Sequence, residues 1–482
     1  MTKKNEGNLQ IGWAMRDVTP DKPVNLLGQF HLRISKGVKD PVTITALALS
    51  SDGSSGDAVI FVSCDRPHFN LQALNQCRAA VRAKAPEINV NQIIMNATHT
   101  HTAPDMISGR YEPVPDGVMK PEEYAEIFIN GATEAIVEAW KNRKPGGVSW
   151  GLGTAVVGHN RRTTYFEELI AERKAGIIAN GFTKMYGNTN DPKFSHIEGY
   201  EDHYVDLLYT WDPAGKLTGI IINLACPSQE TEMDYYISAD FWHEIRQEIR
   251  KRHGGQVQIA AQCSAAGDQS PHRLWYKEAE ERMLKLRGLT MRQEIGRRVA
   301  NAVDEVLPVA EQAIQTNLPL KHVVKEIQLP RRIISDEEAK QVRTDLAQLE
   351  AGDKTAGNYY AAAGRCRRAL ERYAAQKENP NCPMELHVVR LGNIVFTTNR
   401  FEYFLDYGTR IKARSPAEQT FVIQLTADNN GVGTYLPTER AVGGKGYGGG
   451  VYDNEVGPEG GQTIVEETVK VLNELWPETD KK

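Results

Sequence analysis

Apolar positions recur along this chain at two spacings, and the two alternate. Residues 44–49 and 58–63 are short apolar or β-branched runs, the second leaving a Gly/Ser turn at 52–56, and both are predicted strands. Leu71, Leu74, Cys77 and Val81 fall at helical intervals, so 71–85 is a predicted helix, and 92–96 follows as another apolar strand. Pro121-Glu122-Glu123 has the chemistry of a helix start. Tyr124, Ile127, Ala132, Ile136 and Trp140 continue it at helical spacing to the Lys-Pro-Gly-Gly stop at 144–147.

Between 147 and 219 the texture turns to strands and irregular chain, with a long loop predicted over 186–200. Strands at 219–225 and 256–261 then each deliver a loop of small polar residues, the place where α/β proteins assemble sites. Met291, Ile295, Val299, Val303 and Val306 mark a helix. Ser335 and Glu338 form a capping-box pattern ahead of Ala339, Val342, Leu346 and Leu349, and a further helix spans 359–377. Residues 335–378 therefore read as a helical hairpin added to a sheet domain. Strands at 385–390, 394–397 and 420–425 and a helix at 462–476 complete the chain. The expected class is α/β, with mixed β-sheets packed with flanking helices.

Length and charge narrow the partners. With 482 residues and 40% apolar content the chain has core material for one large or two ordinary domains. A net charge of −5 removes the case for nucleic acid or an anionic membrane, and no apolar window suggests a membrane span. A small-molecule or glycan substrate is the default, and oligomeric state leaves no signal. The first residues lack a secretory apolar core, so the chain reads as cytoplasmic, or as secreted or periplasmic if a signal has been removed. Six cysteines without CxxC spacing exclude a disulfide framework. Gly443 to Gly450 holds six glycines but no Walker pattern, and reads as an active-site loop or a surface turn.

The segment Asn96-Ala97-Thr98-His99-Thr100-His101-Thr102-Ala103-Pro104 carries the strongest chemistry. In extended chain, positions two apart share a face, so His99 and His101 would point together. One imidazole could bind a cation while the other serves substrate, both could be ligands, or both could simply cap a strand end.

Taken with three further segments, this one resembles the catalytic domain of the neutral ceramidase superfamily. Those segments are 11–20, Gly37-Val38-Lys39-Asp40-Pro41 and Gly267-Asp268-Gln269-Ser270-Pro271-His272, and the resemblance runs over most of the chain. It implies one catalytic domain over 8–478, including the hairpin, without the family's additional carboxy-terminal β-domain. It also implies a zinc ion bound by His99, Glu402, Tyr435 and a second histidine, at whose place this chain has Cys226. That thiol could be a ligand, a nucleophile in a site without metal, or an inert core residue. His101 takes the acid/base role, and Ser270 matches the family's serine, with a helix N-cap as its plainer use. Asp268 is a hydrogen-bond partner or a turn residue. Asn160, Arg161 and Arg162 match a substrate-reaching segment, and Gln262 heads the second strand-end loop as a further substrate contact.

Three functions remain open on these grounds. The first is a zinc-dependent hydrolase of an amide or related acyl bond in a polar, sugar-like substrate, ceramide itself being disfavoured. The second is a carbohydrate-active enzyme, a glycosidase or uronate lyase, pairing Glu402 with Glu230, Glu232 or Asp268. The third is a binding protein on a degenerate enzyme scaffold.

Overall fold

The computed structural model describes residues 9–51, 57–167, 181–355, 357–427 and 435–476. The turn expected at 52–56 lies outside them. Three sheets form the body, and each pairs its strands in mixed directions. In the first, Leu9–Asp17, Thr43–Ser51 and Ala58–Cys64 run antiparallel in turn, and Ile93–Ala97 joins Ala58–Cys64 in parallel. The second joins Gly147–Thr154, Tyr204–Trp211 and Leu217–Leu224, with Gln258–Cys263 parallel to the last. The third joins Leu320–Pro330, Asn381–Leu391 and Ile394–Thr398, with Gln419–Ile423 parallel to the last.

Alternation along the strands explains the layering. Along Thr43–Ser51, Ile44, Ala46 and Ala48 face the helices Leu71–Lys84 and Pro121–Lys141. Leu47 and Leu49 face the other way, into a central core shared with Leu208 and Ile221 of the second sheet and Val389, Phe396 and Phe421 of the third. Helices Phe241–His253 and Met291–Ala310 cover the outer face of the second sheet, and Leu405–Arg414 and Pro458–Leu475 that of the third. The result is three sheets back to back, each with its own helical coat. No helix among the described residues is long and apolar enough to cross a membrane.

Each sheet's parallel pair ends at one place. After Ala97, Leu224, Cys263, Thr398 and Ile423 the chain leaves the sheets, and the loops that follow carry the polar residues singled out above.

Two expectations change. The stretch 186–200 is only partly loop, because Phe194–Ile197 pairs with Arg162–Tyr165, whose other edge takes Thr183–Met185. These short strands have no periodic signal of their own, and a neighbouring edge supplies their hydrogen bonds. The glycine-rich stretch is packed rather than a free turn: a Cβ on Gly446 would lie 2.3 Å from the Thr183 carbonyl oxygen.

The predicted capping box is present, with Ser335 Oγ accepting from Glu338 N and the Glu338 carboxylate accepting from Ser335 N. It opens the helix Asp336–Ala351, which packs on Tyr359–Ala375 through Val342, Cys366 and Ala369. Val451 and Tyr452 complete that small core, so the hairpin is fastened to the segment after the glycines.

Candidate active site

The two imidazoles meet, but not through strand pleating. The strand Ile93–Ala97 ends before His99, whose backbone turns into the left-handed region at φ 67°. A non-glycine residue there is strained, and such residues concentrate at functional sites. Two contacts impose the turn: His99 N donates to the Arg66 carbonyl, and the Thr98 carbonyl accepts from both N and Oγ of Ser228. The rings of His99 and His101 then sit 4.8 Å apart, 70° from coplanar. Behind His101 lies Gly28 at φ 120°, where a Cβ would fall 2.5 Å from the imidazole Cγ, so only glycine fits.

Hydrogen bonds fix both tautomers. His99 Nδ1 donates to the Pro67 carbonyl at 2.6 Å, which leaves Nε2 as a lone pair. Arg161 donates to Gln229 Oε1 at 3.0 Å, so the Gln229 amide nitrogen is turned toward His101 Nε2, 2.9 Å away. His101 Nε2 therefore also accepts, and its proton lies on Nδ1, 3.2 Å from Glu232. Burial lowers the His101 imidazole against the opposing pull of Glu232. Glu232 also holds His272 Nε2 at 3.0 Å. Burial pulls His272 down, yet Glu232 and Glu230 outweigh it and raise the imidazole.

Glu402 and Tyr435 arrive on a short parallel pair, Glu402–Tyr403 beside Tyr435–Leu436, in which the two residues are direct neighbours. Glu402 Oε2 lies 3.3 Å from His99 Nε2 and 3.7 Å from Arg161. Burial alone would raise this carboxyl, but positive charge beside it, on His99 when its ring carries a second proton and on Arg161, holds it below its usual range. Arg161 donates to the Tyr435 hydroxyl at 3.1 Å and to the Gly267 carbonyl at 2.9 Å. Its position is over-determined.

Among the described residues, no three His, Cys, Asp or Glu side chains are grouped to hold a metal ion. The donor chemistry at His99 nevertheless suits a cation. An imidazole lone pair, an anionic carboxylate and a phenol converge there, and a lone pair of His101 points at that of His99. Cys226 is not in this company. Its side chain is fully buried in the core of the second sheet, its thiol donates to the Pro227 carbonyl, and burial raises it well above its ordinary value. Of the readings open from sequence, the core residue is the one this enclosure favours.

The remaining candidates scatter. Ser270 Oγ accepts from the Tyr186 hydroxyl and from His272 N, each at 3.1 Å, and neither is a base that could activate it. Asp268 reaches no imidazole. It accepts from Asn160 Nδ2 at 2.9 Å and from Leu405 N at 3.0 Å, tying two loops together, and burial pushes its carboxyl up to about 6. Asn160 is used up in that contact. Arg162 is buried in a two-point pair with Glu198 and donates to the carbonyls of Ala441, Lys445 and Tyr447, so it anchors the glycine-rich stretch rather than a substrate. Gln262 lies inside the second sheet, accepting from Asn223 at 3.2 Å. Of the Asn-Arg-Arg run only Arg161 meets the residues that contact the histidines, Gln229 and Glu402.

Gln229, Tyr186 and His272 were not assigned roles from sequence, and Glu232 was named only as a carboxylate. The available signal was the polar run Gln229-Glu230-Thr231-Glu232 straight after a strand end. A cavity of about 600 Å³ opens onto His99, His101, Glu402 and Tyr435 and extends outward along the helix Tyr359–Ala375.

No family model and no curated protein sequence matches this chain. Solved structures do. Neutral ceramidase from Pseudomonas aeruginosa is similar with a TM-score of 0.69 and 16% identity, over 98% of this chain and 75% of that one. A ceramidase complexed with C2 is similar at 0.67 and 15%, over 97% and 75%. The three sheets with their helical coats, and the strand ends that gather His99, His101 and Glu402, are therefore built on the neutral ceramidase fold.

Proposed function

We propose that this protein is a hydrolase that cleaves an amide or related acyl bond in a polar substrate, with zinc held by His99, Glu402 and Tyr435. The observation that carries this reading is the pair of facing Nε2 lone pairs beside a buried carboxylate. That arrangement is repulsive unless positive charge lies among them. When bound there, zinc supplies Lewis acidity toward an acyl oxygen.

The chain's own groups do the rest. His101, with Nδ1 turned to Glu232 and Nε2 free to accept, takes a proton from water and returns it to the leaving group. Arg161, locked by Gln229, Tyr435 and Gly267, presents a fixed cation where an oxyanion develops.

Metal analysis of protein purified without added zinc tests the reading. About one equivalent of zinc, lost in His99→Ala and Glu402→Gln, is expected together with amide or ester turnover on a substrate panel. Metal-free protein with full turnover would overturn the zinc assignment. A carbohydrate-active enzyme is the second reading, favoured by a cavity wall of tyrosines and arginines. Release of reducing ends or of an unsaturated uronate from glycans would select it. Ligand-induced thermal stabilisation without turnover of either panel would instead indicate a binding protein.

A further inference from the structure

The outer half of the cavity is furnished by the helix Tyr359–Ala375. Ala361, Arg365, Arg368 and Arg372 recur at intervals of three and four, with Gly364 and Glu371 beside them, so one face of this helix lines the cavity, and its charged members there are three arginines and one glutamate. Arg110 lines the same space.

Their charges are only partly balanced, because Glu371, Asp453 and Glu455 line the same cavity. Arg365 pairs with Asp453, and its guanidinium lies 5.0 Å from the centre of the Tyr447 ring. Arg372 spends its donors on the carbonyls of Asn454 and Val451, which accept hydrogen bonds but carry no charge. Arg110 lies 3.4 Å from Asp105. Arg368 makes no hydrogen bond and no ion pair among the described residues, though it is half-buried and has Arg110 and Arg365 as neighbours. Burial and those two cations, opposed by the carboxylates of Asp453 and Glu371, lower its guanidinium to about 10, which still leaves it charged at neutral pH. Glycine at 364, one turn before, leaves the Arg368 fork clear: a Cβ there would lie 3.2 Å from its terminal nitrogen.

A half-buried guanidinium with free donors, set among other cations, is a receptor for a planar or tetrahedral oxyanion. We propose that Arg368, backed by Arg110 and Arg372, binds an anionic oxyacid group of the substrate whose scissile bond lies at His99 and His101. The substrate is thereby an acid, carrying a carboxylate, sulfate or phosphate away from the bond that is cut. This rests on the catalytic reading of the histidines for the position of the bond, while the subsite itself does not need catalysis. A contact chain joins the two regions: Arg365 lies over Tyr447, Tyr447 meets Tyr435 ring to ring at 5.2 Å, and Tyr435 accepts from Arg161.

Calorimetric titration with D-glucuronate, sulfate and inorganic phosphate, against D-glucose as the neutral control, tests the subsite. At least one anion is expected to bind tenfold or more tightly than glucose, and the anion preferred identifies the group. Arg368→Ala should weaken that binding by about ten- to a hundredfold, the loss of one charge-assisted contact. Arg368→Lys should restore part of it, and a melting curve on each variant checks the fold. Anions binding no better than glucose, or an Arg368→Ala protein that binds them unchanged, would overturn the proposal. His99→Ala separates the two readings. Anion binding retained in that variant, with no turnover by the wild type, would remove only the hydrolase. Turnover of neutral substrates without anion binding would remove only the subsite.

Discussion

His99 and His101 face one another through their Nε2 atoms at 3.3 Å, and each is backed by its own carboxylate, Glu402 for the first and Glu232 for the second. Two equivalent residues thus acquire different chemistry from what stands behind them. His99 is pinned by a backbone carbonyl and turned to an anion and a phenol, which suits a cation. His101 is oriented by a carboxylate and an amide, which suits proton transfer.

Arg161 is the most constrained side chain of the site, and its contacts are those of a planar fork. Arg161→Lys should therefore behave nearly as Arg161→Ala, with kcat reduced by about 10² to 10³ in each, the loss expected for an oxyanion donor. Steady-state kinetics on the best panel substrate checks this, and a lysine variant within a few-fold of wild type would contradict it.

Cys226 should be dispensable for metal. If zinc is held as proposed, Cys226→Ala is expected to bind it as the wild type does and to keep most of the activity, while losing about 1 kcal/mol of stability from a small core cavity. Metal content and urea unfolding of the purified variant decide the matter.

Arg162 and Glu198 form a buried pair with two short contacts. Removing only the cation strands the carboxylate, so Arg162→Ala should cost about 3 to 5 kcal/mol, and adding Glu198→Gln should recover part of that loss. Denaturant melts of the single and double variants measure it.

Glu230 provides a pH signature in stability. Burial raises its carboxyl from 4.5 to about 7, with Asp240 and Glu232 adding to the shift and His272 and Arg273 opposing it. Between those values the unfolded chain has released a proton that the folded chain still holds, so stability falls as pH rises from 4.5 to 7. Glu230→Gln should flatten that slope and be the more stable protein above pH 7, by on the order of 2 kcal/mol. Melting temperatures across this range would show it.

Periodicity served well where a face was buried. The apolar run of 44–49 and the i, i+4 series from Met291 both matched long elements, as did the capping box at Ser335. It was silent for the helix Lys277–Arg287, which buries only Leu284 and so has no stripe to read. The site divided in the same way. His99, His101, Arg161, Glu402 and Tyr435 were named from motifs and do converge. Gln229, Glu232 and Tyr186 come from loops, where neither spacing nor type reveals which side chains turn inward. Arg162 and Gln262, close in sequence to functional positions, are consumed by the interior.

The left-handed turn at His99 has a further meaning for how this protein balances endurance against work. A side chain branching from such a backbone is held there by the rest of the fold, at a cost of order 1 to 3 kcal/mol. Asparagine tolerates that conformation far better. His99→Asn should therefore yield a protein that outlasts the native one on heating while doing none of its chemistry.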